Sequence, residues 1–254
     1  MSGYVQREQP PGVPPLELTG ERTLPDVPAE NYWFRRHQAV YDWIGERVTG
    51  KRVIDMACGE GYGSELLARS AATVLGVEAN PEAYEHARLR YVRENLRFER
   101  GLVETYGDPG SFDAVVFLQT IEHVHDPLAV LEHHRSLLAP GGVAYVSTPN
   151  VLTLAPPGAK RSENPWHLRE YRAEEFRSLC ESVFGQVRLV GLFHARKLRA
   201  HELALQFGWD AVHRRLRITR RFYDWFTPAI AATDFALRPR RLHAALDFLA
   251  VCRN

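Results

Sequence analysis

Apolar positions along the chain fall into two alternating rhythms. Short apolar runs at 52–57, 73–78, 96–100, 113–118, 142–147 and 187–193 predict strands, and a run at 246–252 predicts a seventh. Residues 30–48, 62–70, 81–94, 127–138 and 172–184 instead carry apolar side chains at helical spacing. Strand-helix alternation predicts an α/β fold with a largely parallel, doubly wound sheet and helices on both faces. Asp126-Pro127 supplies an N-cap with proline at the first helical position, and Pro140-Gly141-Gly142 ends that helix. Residues 1–17 are polar and proline-rich and predict a disordered tail, which leaves 18–254 as one domain. Two long segments, 149–171 and 194–242, interrupt the alternation. Loops leaving strand C-termini lie on the ligand face of such a sheet. The first is therefore expected to overhang a ligand as a loop, and the second as a mostly helical lid. The second also reads as a helix pair for packing or dimerisation.

The densest chemistry lies at 53–63, Val-Ile-Asp-Met-Ala-Cys-Gly-Glu-Gly-Tyr-Gly. A strand end runs into glycines at 59, 61 and 63, and a helix pattern follows at once. Glu78 ends the next apolar run, where its carboxylate can take both hydroxyls of a ribose. Glycines in such a loop let the backbone pass close to a ligand. A dinucleotide loop has the spacing G-x-G-x-x-G, with a pyrophosphate on the helix N-terminus. Here the third glycine comes one residue early and Ser64 stands in its place. Asp55 precedes the loop, where a carboxylate would repel a pyrophosphate but suit a sulfonium and an amino group.

This stretch resembles motif I of the class I S-adenosylmethionine (SAM)-dependent methyltransferases, with Glu78 matching the ribose-binding acid. Further segments resemble one branch of the type 11 SAM methyltransferases: Thr-Gly-Glu-Arg at 19–22, Tyr-Trp-Phe-Arg-Arg-His at 32–37, Gln-Thr-Ile-Glu-His at 119–123, Ser-Thr-Pro-Asn at 147–150 and Asn-Pro-Trp-His-Leu-Arg-Glu at 164–170. The match spans about residues 18–193 and is most similar to actinobacterial sugar O-methyltransferases of polymethylated polysaccharide biosynthesis. The resemblance implies a Rossmann-like, seven-stranded, mostly parallel sheet whose last strand is antiparallel. It implies SAM as cofactor, held by Asp55, Ala57, Gly59, Gly61, Glu78 and Ala79. Relatives often place an acid after the third strand to read adenine. This chain has Leu102 there, so either the backbone around Leu102 and Val103 or the Glu104 side chain is expected to read the base. A helix ahead of the first strand often closes over the methionine end, which makes Trp33, Arg36 and His37 candidate contacts. Gln119 joins them from the fourth strand.

Methyl transfer to oxygen requires an aligned acceptor and a base for its proton. His123, at the C-terminal end of the fourth strand, is the best-placed base beside Glu122, and His167 in the 164–170 segment is the second candidate. Glu122 and His123 could also bind a divalent metal such as Mg2+. Some related enzymes carry Glu-x-x-Glu-His there, but this chain has Gln119 at the first position, and two ligands are too few to support a site. Tryptophan, arginine, histidine and tyrosine crowded into 166–171 suit a carbohydrate. The expected activity is therefore SAM-dependent O-methylation of a sugar or short oligosaccharide. A quinone or natural-product O-methyltransferase is the nearest alternative, and a catalytically silent SAM-fold subunit a remoter one.

Composition narrows the partners. The 254 residues are 45% hydrophobic and 25% charged with net charge +1, which predicts no strong pull toward nucleic acid or an anionic membrane. No apolar run is long enough to span a bilayer. Three widely spaced cysteines fit a reducing compartment, so a cytoplasmic location is expected. A homodimer is one expectation for the assembly.

Overall fold

The computed structural model describes residues 9–18, 22–156 and 158–254. Its sheet has eight strands: β1 (Arg52–Met56), β2 (Thr73–Glu78), β3 (Leu96–Arg100), β4 (Phe112–Leu118), β5 (Leu138–Pro149), β6 (Gln186–His194), β7 (Phe235–Arg238) and β8 (Asp247–Arg253). They lie in the order β3-β2-β1-β4-β5-β8-β6-β7. The first five pair in parallel. β8 runs antiparallel between β5 and β6, as expected of the last strand.

Eight strands, rather than seven, is a correction. β7 falls inside the segment expected to be a helical lid and adds an antiparallel edge to β6, pairing Leu192 with Leu237 and His194 with Phe235. Four residues offer too little alternation to stand out by period. β5 also begins earlier than expected. Leu138 pairs with Phe112, and the register then slips before Val143 meets Ala114. Gly141 takes φ 77° there, so the Pro140-Gly141-Gly142 punctuation is an irregularity inside a strand.

Helices cover both faces: α1 (Asn31–Gly45), α2 (Tyr62–Ala68), α3 (Pro81–Arg90), α4 (Pro127–Leu137), α5 (Val151–Leu154), α6 (Ala173–Glu181), α7 (Arg196–Gln206), α8 (Trp209–Arg215) and α9 (Thr219–Phe226). Caps explain several starts. The Asn80 side chain accepts from the amides of Glu82 and Ala83 with Pro81 at the first position of α3, and Asp126 accepts from Ala129 at the start of α4. The α3 pattern stops at Arg90, short of residue 94, because Tyr91 turns to extended backbone.

The period of two divides the core. Val53, Val74 and Val116 face a layer with Tyr41, Ile44 and Leu67 of α1 and α2. Ile54, Val115 and Phe117 face the other layer with Leu131 of α4 and Phe176 of α6. Residues 9–17 belong to the segment expected to be a disordered tail. There Leu16 is buried against Leu24, Val27 and Ala83, and the Pro14 carbonyl accepts from His86 Nδ1 at 2.7 Å. Cys58, Cys180 and Cys252 are free and buried. Among the described residues no helix is long and apolar enough to cross a membrane.

Candidate active site

A cavity of about 370 Å³ opens at the C-terminal ends of β1, β2 and β4. Ala57 to Glu60 form its floor after β1, Glu78 to Asn80 one wall after β2, and Leu118 to Thr120 the opposite wall after β4. Ser147 on β5, Asp247 at the start of β8, His37, Val40 and Tyr41 on α1, Tyr62 at the start of α2, His123, Arg22 and Thr23 complete it. Two non-glycine residues of this lining, Ala57 (φ 57°) and Gln119 (φ 52°), sit in left-handed backbone at the strand exits. Such conformations persist where the surroundings over-determine them. At Gln119 the lock is visible: its backbone amide donates to the Ser147 carbonyl at 3.2 Å and its side-chain amide to Ser147 Oγ at 3.0 Å.

The three loop glycines do different work. A Cβ added at Gly59 would meet no atom within 4 Å, so that side of the loop opens on the cavity. A Cβ at Gly61 would lie 2.7 Å from Ala87 Cβ, and one at Gly63 would lie 2.1 Å from the Tyr41 ring. Those two glycines admit close packing, and Gly61 is not part of the lining. Glu78 braces the floor: its carboxylate accepts from the Gly59 amide at 2.8 Å and the Asn80 amide at 2.9 Å. Glu60, buried below, accepts from Tyr91 Oη at 2.8 Å and pairs with Arg90 and His86.

Asp55 lies beneath the floor and does not reach the cavity. It is fully buried and accepts from Ser64 Oγ at 2.7 Å and Tyr41 Oη at 3.3 Å. Burial pushes its carboxyl up to about 7. His37 contacts Tyr62 Oη through Nδ1 at 3.1 Å, and burial pulls its pKa down to about 4, so it is neutral near pH 7. Trp33 and Arg36 are off the lining. Trp33 is half-exposed with the Arg36 guanidinium 4.9 Å over its ring, and Arg36 turns inward to pair with Asp247. Leu102 is exposed, and Val103 packs on the α4 side of the core, where its carbonyl accepts from His134.

His123 lines the cavity, and its Nδ1 donates to the Trp166 carbonyl at 2.9 Å, so the neutral form of this imidazole carries its lone pair on Nε2. His167 does not line it. Its Nδ1 meets Glu170 at 2.7 Å and its Nε2 meets the Asn164 side-chain amide at 3.0 Å, so both nitrogens tie the loop together. The two imidazoles nonetheless touch edge to face, centroids 5.0 Å apart. Potential ligand atoms of Glu122, His123 and His167 all lie within 4.8 Å of one another. Burial raises the Glu122 carboxyl to about 8, although Thr148 Oγ1 donates to it at 3.1 Å.

Among the described residues, neither segment expected to overhang the ligand lines this cavity. The 149–171 loop packs against the lining residue His123 through the Trp166 carbonyl and the His167 ring. The 194–242 segment packs beside α1 and β6 and encloses a separate cavity of about 280 Å³ with Tyr32, Leu198 and Phe226 in its walls. Thr19, Gly20 and Glu21 fall outside the described residues.

A family model described as a methyltransferase domain matches residues 30–203. A protein of Mycolicibacterium smegmatis named a "probable S-adenosylmethionine-dependent methyltransferase" is 36% identical over 246 residues, 93% of this chain and 94% of its own. The chain belongs to the class I SAM-dependent methyltransferases. The matching model is a different methyltransferase family from the type 11 branch that the motifs resemble. A ubiquinone biosynthesis O-methyltransferase of Xanthomonas campestris is 40% identical over 116 residues, 43% of this chain and 48% of its own. The fold alone is shared with a Thermotoga maritima SAM-dependent methyltransferase, at TM-score 0.60 and 17% identity, covering 89% of this chain and 95% of that one.

SAM is therefore this methyltransferase's cofactor, and the floor fits it. Open space above Gly59, a carboxylate at Glu78 and a neutral His37 face one cavity. Sequence reasoning missed Tyr62, Ser147 and Asp247. Tyr62 stands inside the glycine loop and could have been read there. Asp247 opens the last apolar run, Asp-Phe-Leu-Ala-Val, and nothing in its neighbours marks it.

Proposed function

We propose that the enzyme O-methylates a hydroxyl of a sugar or short oligosaccharide, with His123 as the base. One observation carries the reading: His123 and the Asp247 carboxylate line the same cavity as the glycine floor. Thr120, Gln119 and Ser147 make that end of the cavity polar. A polyhydroxylated acceptor can add hydrogen bonds to such a wall at several points, whereas a quinone ring offers fewer groups to it. SAM, when bound, supplies a methyl group on a cationic sulfur, so the protein needs only to align and deprotonate the acceptor oxygen. Nε2 of His123 takes the hydroxyl proton, and Asp247 accepts from a neighbouring hydroxyl to fix which oxygen is presented. Glu78, with the backbone of Ala57, Gly59 and Ala79, would hold the cofactor, and Asp55 would position the loop through Ser64.

Turnover of labelled SAM with defined mono- and disaccharides, set against catechols and hydroquinones, tests the acceptor class. Transfer to a sugar hydroxyl is the expected outcome. Transfer to the phenolic acceptors alone would favour the quinone reading, toward which the partial Xanthomonas likeness leans. No turnover on any acceptor, with SAM still bound, would favour a silent subunit.

The Glu122-His123-His167 cluster favours a second reading in which a divalent cation joins the site. Chelation followed by Mg2+ or Mn2+ addition tests it: activity that neither step alters argues against the metal.

A further inference from the structure

Net charge +1 conceals a strong asymmetry. Residues 196–226 hold eight Lys and Arg against three acids, a local +5 that leaves −4 on the rest of the chain. Five of the arginines, at 214, 215, 217, 220 and 221, are exposed. Arg214 pairs with Asp210 and Arg220 with Asp224, one turn away on the surface. Arg215, Arg217 and Arg221 meet no acid among the described residues.

The same helices expose apolar surface. Phe207 is 89% exposed and Trp225 70%, the most exposed phenylalanine and tryptophan among the described residues. Leu216 is 60% exposed and Val212 45%. Helical spacing interleaves these with the charges: Val212 and Leu216 flank Arg215, and Arg221 lies one turn from Trp225. The opposite face of α9 is satisfied, because Phe222 and Phe226 stack on each other and on His201. The outward groups are thus not a core face left over.

We propose that α7–α9 docks on an anionic lipid bilayer surface. The arginines would meet headgroup phosphates and carboxylates, while Phe207, Leu216 and Trp225 enter the headgroup-acyl boundary. The helices are short and strongly amphipathic, so the element lies on the membrane and does not span it. A second copy of the chain is a poorer occupant, because a two-fold interface would set this basic face against itself. Nucleic acid would satisfy the arginines but offers no apolar phase for Val212 and Leu216.

Sedimentation of the full-length enzyme with phosphatidylcholine vesicles, with and without phosphatidylserine, tests the proposal. Binding is expected only with phosphatidylserine and should weaken with added salt. The variant Arg215→Gln/Arg217→Gln/Arg221→Gln should lose about a hundredfold in vesicle affinity, on the scale of each basic residue near an anionic surface. Phe207→Ser/Trp225→Ser should lose binding even at low salt. SAM affinity unchanged in both variants would show that they remain folded. No pelleting of the wild type, or equal pelleting with neutral vesicles, would overturn the proposal. So would a dimer, or a bound RNA, that these substitutions abolish while vesicles never bind.

Discussion

Arg36 of α1 grips Asp247 at the start of β8 with two parallel contacts, Nε to Oδ2 at 2.7 Å and Nη2 to Oδ1 at 2.5 Å. Both side chains are almost fully buried, and Arg36 also donates to the Leu246 carbonyl. The residue expected to touch the cofactor thus acts one step away, by holding a carboxylate that faces the cavity. Removing one partner of a buried pair strands the other charge. Arg36→Met should cost about 3–5 kcal/mol in urea denaturation, and Arg36→Met/Asp247→Leu should recover much of it. Equal stability of the single variant and the wild type would contradict the burial argument.

The glycine loop offers a contrast between neighbours. Gly63→Ala must push the Tyr41 ring, which stands 2.1 Å from the added carbon, so it should destabilise the fold by about 1–3 kcal/mol. Gly59→Ala adds its carbon in open space facing the cavity. It should cost less in stability, about 1 kcal/mol for the left-handed backbone at φ 58°, and more in SAM affinity. Calorimetric binding and melting curves on the two variants separate the effects.

Asp55 makes stability depend on pH. Burial lifts its carboxyl from an ordinary value near 3.8 to about 7. The folded chain therefore binds this proton more tightly than the unfolded chain. The resulting stability is full below about pH 4 and is lost as pH rises to about 7. Asp55→Asn should flatten that decline, by up to about 4 kcal/mol between acidic and neutral pH. Denaturation midpoints at about pH 5 and about pH 8 check it, and parallel slopes in variant and wild type would refute it.

Cofactor and base roles should separate kinetically. Glu78→Ala should weaken SAM binding by about 1–3 kcal/mol, the scale of hydrogen bonds to a charged group. His123→Ala should keep SAM affinity and lose about a hundredfold or more in kcat. Wild-type turnover in His123→Ala would remove the base assignment. His167→Ala should chiefly loosen the loop that its two nitrogens hold.

Much of the fold was legible because it rests on local rules. Period-two and helical patterns predicted the runs that form β1–β6 and β8, the parallel pairing of the first five, and the starts of helices such as α3 and α4, which Asn80 and Asp126 cap. β7 was not legible, because four residues acquire strand character only from the edge of β6. The site divided similarly. Loop position and the family resemblance made Glu78, Ala57, Gly59 and His123 candidates, and all four line the cavity. The inward turn of Arg36, the burial of Asp55 and the engagement of His167 depend on partners 211, 14 and 3 residues away, whose side-chain directions no motif encodes.

By itself, the sequence determined all strands of the sheet but β7, the methyltransferase class and the cofactor, because strand period and the spacing along one strand-loop-helix unit are local chemistry. Only the tertiary structure decided which side chains face the cavity. It drew Asp247 and Ser147 to the glycine floor from far along the chain, and it turned the insertion's charge outward, away from that cavity. Packing chooses those directions, and packing belongs to the assembled chain.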